Sequence, residues 1–287
     1  DCAGVWGGSA SEDLCGICDT DDSNNCVADC NGVYGGTATN DECGECGGDD
    51  YDPLGYHCTD LNALQDIIDN NNITSITDEL DLGNQVWTNG RLTSLEMDFT
   101  SITTLPASIG NIAQLVSLSI NYNEITSLPN NIGNLSNLTT LSINNNELSS
   151  LPDGIWNLST LLVLDLNNND LDNIPQTING LSSIENFNLS NNKLPSLPAS
   201  IGDLSTLINL DVSNNLITGL PAQLWTLSSL TTLDLSNNKL QTLSEDICNI
   251  YNSPLSNFEV GNNCILLNTP SCLSGYDWST QDASNCE

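Results

Sequence analysis

From Leu92 the chain repeats, seven times in succession, a 23-residue unit of the form LxxLxLxxNxLxxLPxxIGNLSx, with starts at Leu92, Leu115, Leu138, Leu161, Ile184, Leu207 and Leu230. An eighth, partial unit restarts at Leu255 after a two-residue insertion, with Phe258, Val260, Asn263 and Ile265 in the expected places. The LxL stretch alternates apolar and polar residues, so every unit predicts a short strand with one buried face. No unit can bury that face alone. Successive units must therefore stack, parallel strand beside parallel strand at about 4.8 Å, and the two ends of the stack need caps.

The other recurring positions have physical roles in such a stack. Asn123, Asn146, Asn169, Asn192, Asn215, Asn238 and Asn263 stand where each strand ends. Their amides are expected to form an internal ladder, satisfying backbone groups that cost about 1 to 3 kcal/mol each when buried unpaired. Unit one carries Thr100 instead, a weaker bridge suited to an end. Pro106, Pro129, Pro152, Pro175, Pro198 and Pro221 fix φ at the next corner, and Ser244 breaks the series where the array is about to end.

The pattern resembles the leucine-rich repeat, in its 23-residue LPxxIGNL subclass, over roughly residues 92–265. That resemblance implies a leucine-rich repeat solenoid: a curved parallel sheet with an irregular or 3-10 convex side, and a concave face that meets partners. At the middle exposed strand position the chain presents Glu96, Ser119, Ser142, Asp165, Asn188, Asp211, Asp234 and Glu259, with aromatics only at Phe99 and Tyr122 in the flanking rows. This concave set, Glu96, Asp165, Asn188, Asp211, Asp234, Glu259, Tyr122 and Phe99, is the candidate partner surface. It suits a basic partner, a glycan or divalent cations, and the competing reading is a solvated sheet face. Trp156 and Trp225 share one repeat position and either pack into the edge of the core or stand out as an assembly contact.

Four domains are expected: a Cys/Asp-rich tandem module at 1–58 (units 1–28 and 29–58), an N-terminal helical and strand cap at 59–91, the seven repeats at 92–252, and a partial eighth repeat with a disulfide cap at 253–287. In the first module, DCAGVWGGSASEDLCGICDTDD is echoed 28 residues later by DCNGVYGGTATNDECGECGGDD. In the cap, TDLNALQDIIDN has apolar residues at 61, 64, 67 and 68, which is helical spacing, with Thr59 or Asp60 as N-cap candidate. LDLGNQVWTNG follows as a strand and turn.

The 12 cysteines cluster at the two ends: Cys2, Cys15, Cys18, Cys26, Cys30, Cys43, Cys46 and Cys58, then Cys248, Cys264, Cys272 and Cys286. An even count with a single His predicts disulfides in an oxidising compartment. The last four resemble the cysteine-bearing C-terminal flanks of extracellular leucine-rich repeat proteins, with three pairings open. The CxxC pairs Cys15/Cys18 and Cys43/Cys46 also fit a four-thiolate zinc site, the alternative to disulfides. Residues 1–60 hold 14 acidic residues and no Lys or Arg. Asp1, Asp13, Asp21, Asp22, Asp29, Asp41, Asp49 and Asp50 recur in both units and are the candidate calcium ligands, since calcium takes six to eight oxygens. The segment resembles thrombospondin type 3 and other Cys/Asp-rich calcium-stabilised modules but lacks their regular DxDxDG run. A solvated acidic surface is the other reading.

A formal net charge of -34, with three Lys plus Arg in all, excludes nucleic acid and an anionic membrane surface as partners. No apolar run of about 18 residues is present, so membrane insertion is not expected. The start at Asp1 and the cysteines together predict a processed, secreted or cell-surface chain. His57 is the only His and sits beside Cys58; no phosphate loop, nucleophile elbow or dinucleotide fingerprint occurs, so no enzyme activity is expected. The sequons at Asn72, Asn134, Asn137, Asn157 and Asn188 could carry glycans only in a glycosylating host. The resulting expectation is a non-enzymatic recognition or adhesion protein that binds a protein or glycan at a cell surface. The alternatives are a structural subunit that binds copies of itself in an extracellular filament or surface layer, and an ice-binding protein, whose flat Thr/Ser/Asn array the acidic row and the curvature oppose.

Overall fold

The computed structural model describes residues 50–251, 254–265 and 269–281, together with 11–12, 18–19, 30 and 38–40. The chain divides into two compact units, Asp1–Thr59 and Asp60–Glu287. In the first, β1 (Ser11–Glu12) pairs antiparallel with β2 (Cys18–Asp19), and a tight turn at 52–56 is held by Asp52 Oδ1, which accepts from Leu54 N and Tyr56 N. Cys30 and Cys58 are disulfide-bonded there. The remaining cysteines of this segment, and every candidate calcium ligand except Asp50, lie outside the residues whose side chains are described. The choices between disulfide and zinc, and between calcium and a solvated surface, lie with them.

Helix α1 (Cys58–Asn70) starts one residue before the expected caps, and His57 Nδ1 accepts from Thr59 N at its start. Its apolar spacing works as expected: Leu61, Leu64, Ile67 and Ile68 are buried. Asp60, fully buried, is not a cap. Its carboxylate accepts a bidentate pair from Arg91 at 2.8 and 2.9 Å and a third bond from Leu92 N at 2.9 Å. The helix is thereby tied to the first repeat strand by a buried charge that has three donors.

The second unit is a nine-stranded sheet running from β3 (Asn84–Thr88) and β4 (Arg91–Glu96) through β5 (Ser117–Ser119), β6 (Thr140–Ser142), β7 (Val163–Asp165), β8 (Asn186–Asn188), β9 (Asn209–Asp211) and β10 (Thr232–Asp234) to β11 (Asn257–Glu259). From β4 onward all pairings are parallel and in strict 23-residue register until the insertion before β11. This is the solenoid that the repeat predicts. The one departure is β3, which pairs antiparallel with β4 through an Asn89-Gly90 turn. Both turn residues have positive φ, 51° and 74°, the requirement that makes Asn-Gly the favoured two-residue hairpin.

Each middle strand has only three residues, with the central one buried and its neighbours partly exposed. The chain then crosses to the convex side and makes a five-residue 3-10 turn, from Ala107–Asn111 in unit one to Glu245–Asn249 in unit seven. Proline precedes six of these turns with φ between -70° and -76°. At the seventh, Ser244 replaces the lost ring restraint with a side-chain cap, its Oγ accepting from Asp246 N at 3.2 Å. Adjacent turns pack closely enough that a Cβ on Gly110, Gly133 or Gly202 would lie 2.3 to 2.5 Å from a carbonyl of the next turn.

The asparagine ladder is present. Asn146, Asn169, Asn192, Asn215, Asn238 and Asn263 each donate to carbonyls of their own and the preceding unit and accept one backbone N–H, and all are at most 9% exposed. At the N-terminal end Thr100 Oγ1 donates to Met97 O, and Asn123 Oδ1 accepts from Thr100 N and Ile102 N. At the other end a disulfide joins Cys248 to Cys272, one of the pairings left open, and Cys264 is also disulfide-bonded. The exposed edge of β11 is covered by Tyr276, whose Oη accepts from Val260 N, by Gln281, which donates to Val260 O, and by Thr280 O, which accepts from Asn262 N.

Candidate functional site

The exposed face of the sheet carries three rows set by strand register: the residues before, at and after the middle exposed position. The middle row places Glu96, Asp165, Asn188, Asp211, Asp234 and Glu259 on one face, as expected, but they are not equivalent. At the end of each strand one backbone N–H turns toward this face and needs an acceptor. In the second and third units the middle residue is Ser119 or Ser142, too short to reach it, and the previous unit supplies the acceptor. Asp98 Oδ1 accepts from Asn121 N at 2.8 Å and Ser119 Oγ at 2.7 Å, and Asn121 Oδ1 does the same for Asn144 N and Ser142 Oγ, both at 2.8 Å.

From the fourth unit the acceptor comes from within the unit. Asp165 Oδ1 accepts from Asn167 N at 3.2 Å, Asn188 Oδ1 from Ser190 N at 3.0 Å, Asp211 Oδ1 from Ser213 N at 2.9 Å and Asp234 Oδ1 from Ser236 N at 2.8 Å. Asp165 uses its second oxygen as well, on Asn144 Nδ2 at 2.8 Å. Asp211 and Asp234 keep Oδ2 for other donors. Glu259 is exposed beside them. Asp211 and Asp234 are register partners, as are Asp234 and Glu259, so three acidic residues stand side by side on adjacent strands spaced about 4.8 Å apart. Asn186, Asn188, Asn209 and Thr232 complete a shallow trough of about 310 Å³ around them. Like charges facing one another across neighbouring strands repel, and no Lys or Arg lies on this trough to balance them.

At the other end of the face, Phe99 and Tyr122 follow β4 and β5. Their rings stack with centroids 4.3 Å apart at 9°, yet they are 72% and 50% exposed. The backbone there is left-handed, with φ of 57° and 54°. The same position in the next six units is always Asn, at φ from 52° to 55°: Asn145, Asn168, Asn191, Asn214, Asn237 and Asn262. Asn tolerates this region, whereas a bulky aromatic is strained in it by about 1 to 3 kcal/mol. The sequence held the clue to this conformation, a column of Asn at fixed spacing, but the aromatic exceptions drew attention only as exposed rings.

Trp156 and Trp225 are both 2% exposed, so they pack into the core and do not form a convex assembly contact. Their indole Nε1 atoms have no hydrogen-bond partner. His57 meets Tyr51 edge-on at 5.1 Å and accepts from Thr59 N. Asp50 has φ of 64°. Among the described residues no group of three or more His, Cys, Asp or Glu is placed to hold a metal ion, and no helix is long and apolar enough to cross a membrane.

In the C-terminal cap, hydrogen bonds from Ser271 Oγ and N hold the Glu245 carboxyl below its ordinary pKa, and those from Ser279 do the same for Asp277. Burial raises the Tyr276 phenol above its ordinary 10.0, against the bond from Val260 N, which lowers it. The negative charges of Glu259 and Asp234, two of the trough carboxylates, raise the Tyr276 phenol further.

The sequence matches the leucine-rich repeat family over residues 136–194 and 197–248. No curated protein matches it significantly. Among solved structures, a leucine-rich repeat protein of Leptospira interrogans is 36% identical with a TM-score of 0.54, covering 56% of this chain and 41% of that one. PEPR1, solved with AtPEP1, is 25% identical with a TM-score of 0.60, covering 71% and 31%. The functional domain of InlJ from Listeria monocytogenes, which includes a cysteine ladder, is 25% identical with a TM-score of 0.54, covering 68% and 42%. The chain thus spans less than half the length of each of these structures, and what it shares with them is the leucine-rich repeat solenoid.

Proposed function

We propose, taking this chain as a leucine-rich repeat protein, that it is a non-enzymatic recognition or adhesion protein, secreted or held at a cell surface, that binds a protein partner on its concave sheet face. The observation that carries the reading is the C-terminal trough. Asp211 and Asp234 each keep one uncommitted carboxylate oxygen, Glu259 stands beside them, and no Lys or Arg lines the trough. Such a face attracts basic groups, speeding encounter and rejecting acidic partners. PEPR1, solved with AtPEP1, and the functional domain of InlJ share the same solenoid. Disulfides at both ends of the described chain fit an oxidising compartment.

The test is an array of secreted and surface proteins probed with the whole chain, in parallel with a glycan array. Binding to a basic protein that weakens with salt and falls in the Asp211→Asn/Asp234→Asn variant supports the proposal. Silence of the protein array overturns it, as does electron microscopy showing that the chain polymerises through this face.

A further inference from the structure

We infer that the Phe99–Tyr122 ring pair is a docking platform for an arginine- or lysine-bearing peptide segment of the partner, a second anchor at the opposite end of the sheet from the trough. The inference rests on the concave-face reading and adds the site and the chemistry that hold the partner at the N-terminal end of the sheet.

Four observations converge on it. The two rings occupy a position where the fold demands left-handed backbone and where all six later units use Asn. Stability does not explain the exchange, because the rings are 72% and 50% exposed and gain little burial in return for the strain. Stacked at 4.3 Å and nearly parallel, they present an outer ring face at Phe99 with no third aromatic among the described residues over it. Electrostatics then selects the ligand. Residues 92–192 contain nine Asp and Glu and no Lys or Arg. Of these, Glu96 lies three residues before Phe99 and Glu124 two after Tyr122, with Glu147 repeating the Glu124 position one unit on, and all three are exposed. The nearest cation in sequence, Arg91, is committed to Asp60.

The negative face of an aromatic ring attracts a cation, and flanking carboxylates raise that preference. A guanidinium fits better than an ammonium because its planar group stacks on the ring while its N–H donors reach the carboxylates. A sugar could also lie flat on such rings, but neither the carboxylate rows nor the charge of the segment would be needed for it.

The test uses the full chain and a short fluorescent peptide of alternating Arg and Gly, followed by anisotropy at about 0.15 M salt, with a Lys-Gly peptide, a neutral Ser-Gly peptide and chitin oligosaccharides as comparisons. Phe99→Asn and Tyr122→Asn install the residue that six other units carry at this position, so both variants fold, and thermal midpoints equal to or above that of the parent confirm it. The expected result is binding in the order Arg-Gly, Lys-Gly, Ser-Gly, weakened on the order of fivefold by each ring variant. Arg-Gly binding that ignores both ring variants, or a parent chain that binds no Arg-Gly peptide, overturns the inference. If Asp211→Asn/Asp234→Asn alone weakens the peptide, the ring inference falls and the trough reading stands. If the oligosaccharide and not the peptide depends on the rings, the platform is a sugar site and the inference is overturned. Silence of the protein array removes the reading beneath it, whatever the peptide does.

Discussion

Asn192→Ala is the sharpest probe of what holds the array together. The Asn192 side chain is 8% exposed; its Nδ2 donates to Leu166 O and Leu189 O at 3.0 Å and to Ser190 O at 3.1 Å, and its Oδ1 accepts from Leu171 N at 3.0 Å. These four bonds are not equally missed. Leu166 O keeps Asn169 Nδ2, Leu189 O keeps Asn215 Nδ2, and Ser190 O keeps Asn168 N. Only the Leu171 N–H is left buried with no acceptor, at about 1 to 3 kcal/mol, and loss of the second donor on three carbonyls brings the expected total to about 2 to 4 kcal/mol. Urea unfolding followed by circular dichroism measures the total, and hydrogen exchange at the Leu171 amide measures its local origin. Asn192→Asp separates donor from acceptor. It keeps an oxygen for Leu171 N but aims a second one at three carbonyls, so its carboxyl pKa in the fold is raised. The resulting instability is full above that raised value and relieved as the pH falls through it. A change below about 0.5 kcal/mol for Asn192→Ala, with Leu171 protection intact, would refute the ladder as a source of stability.

Three further outcomes are expected. Gly180→Ala places a Cβ 1.8 Å from Trp156 O and is expected to cost about 1 to 3 kcal/mol, whereas Gly219→Ala meets nothing within 4 Å and stays within about 0.5 kcal/mol; equal melting midpoints would contradict the close packing of the convex turns. Arg91→Ala removes the bidentate partner of the fully buried Asp60 carboxylate and is expected to destabilise by about 3 to 5 kcal/mol in chemical denaturation, with Asp60→Asn/Arg91→Met recovering part of the loss. Because the Tyr276 phenol titrates above its ordinary 10.0 in the fold, its contribution is complete below that pH and is lost as pH rises through the folded value. Melting followed as pH rises above about 10 should therefore show the C-terminal cap loosening, less steeply in Tyr276→Phe, and identical pH profiles would remove Tyr276 from that role.

The sequence by itself determined the architecture, because a stack of identical units leaves one way to bury the Leu row and satisfy the strand ends. The 23-residue period fixed strand positions and register, the Asn column fixed the ladder, and the Leu61, Leu64, Ile67 and Ile68 spacing fixed the cap helix. What it could not supply was the allocation of individual polar atoms, since that depends on which side chain reaches which backbone group across neighbouring units. Glu96, Asp165, Asn188, Asp211, Asp234 and Glu259 look alike as a row. Only the stacked strands show that Asp165 is spent on Asn167 N and Asn144, that Asp98 and Asn121 serve the units beyond them, and that Asp211 and Asp234 retain an oxygen each. Asp60 likewise reads as a cap until 31 residues of chain bring Arg91 to it. Trp156 and Trp225, ambiguous as letters, are buried because the convex turns close over them. The rings of Phe99 and Tyr122 became informative only when the left-handed backbone beneath them was seen, for strain is a property of conformation, and a repeat pattern records composition.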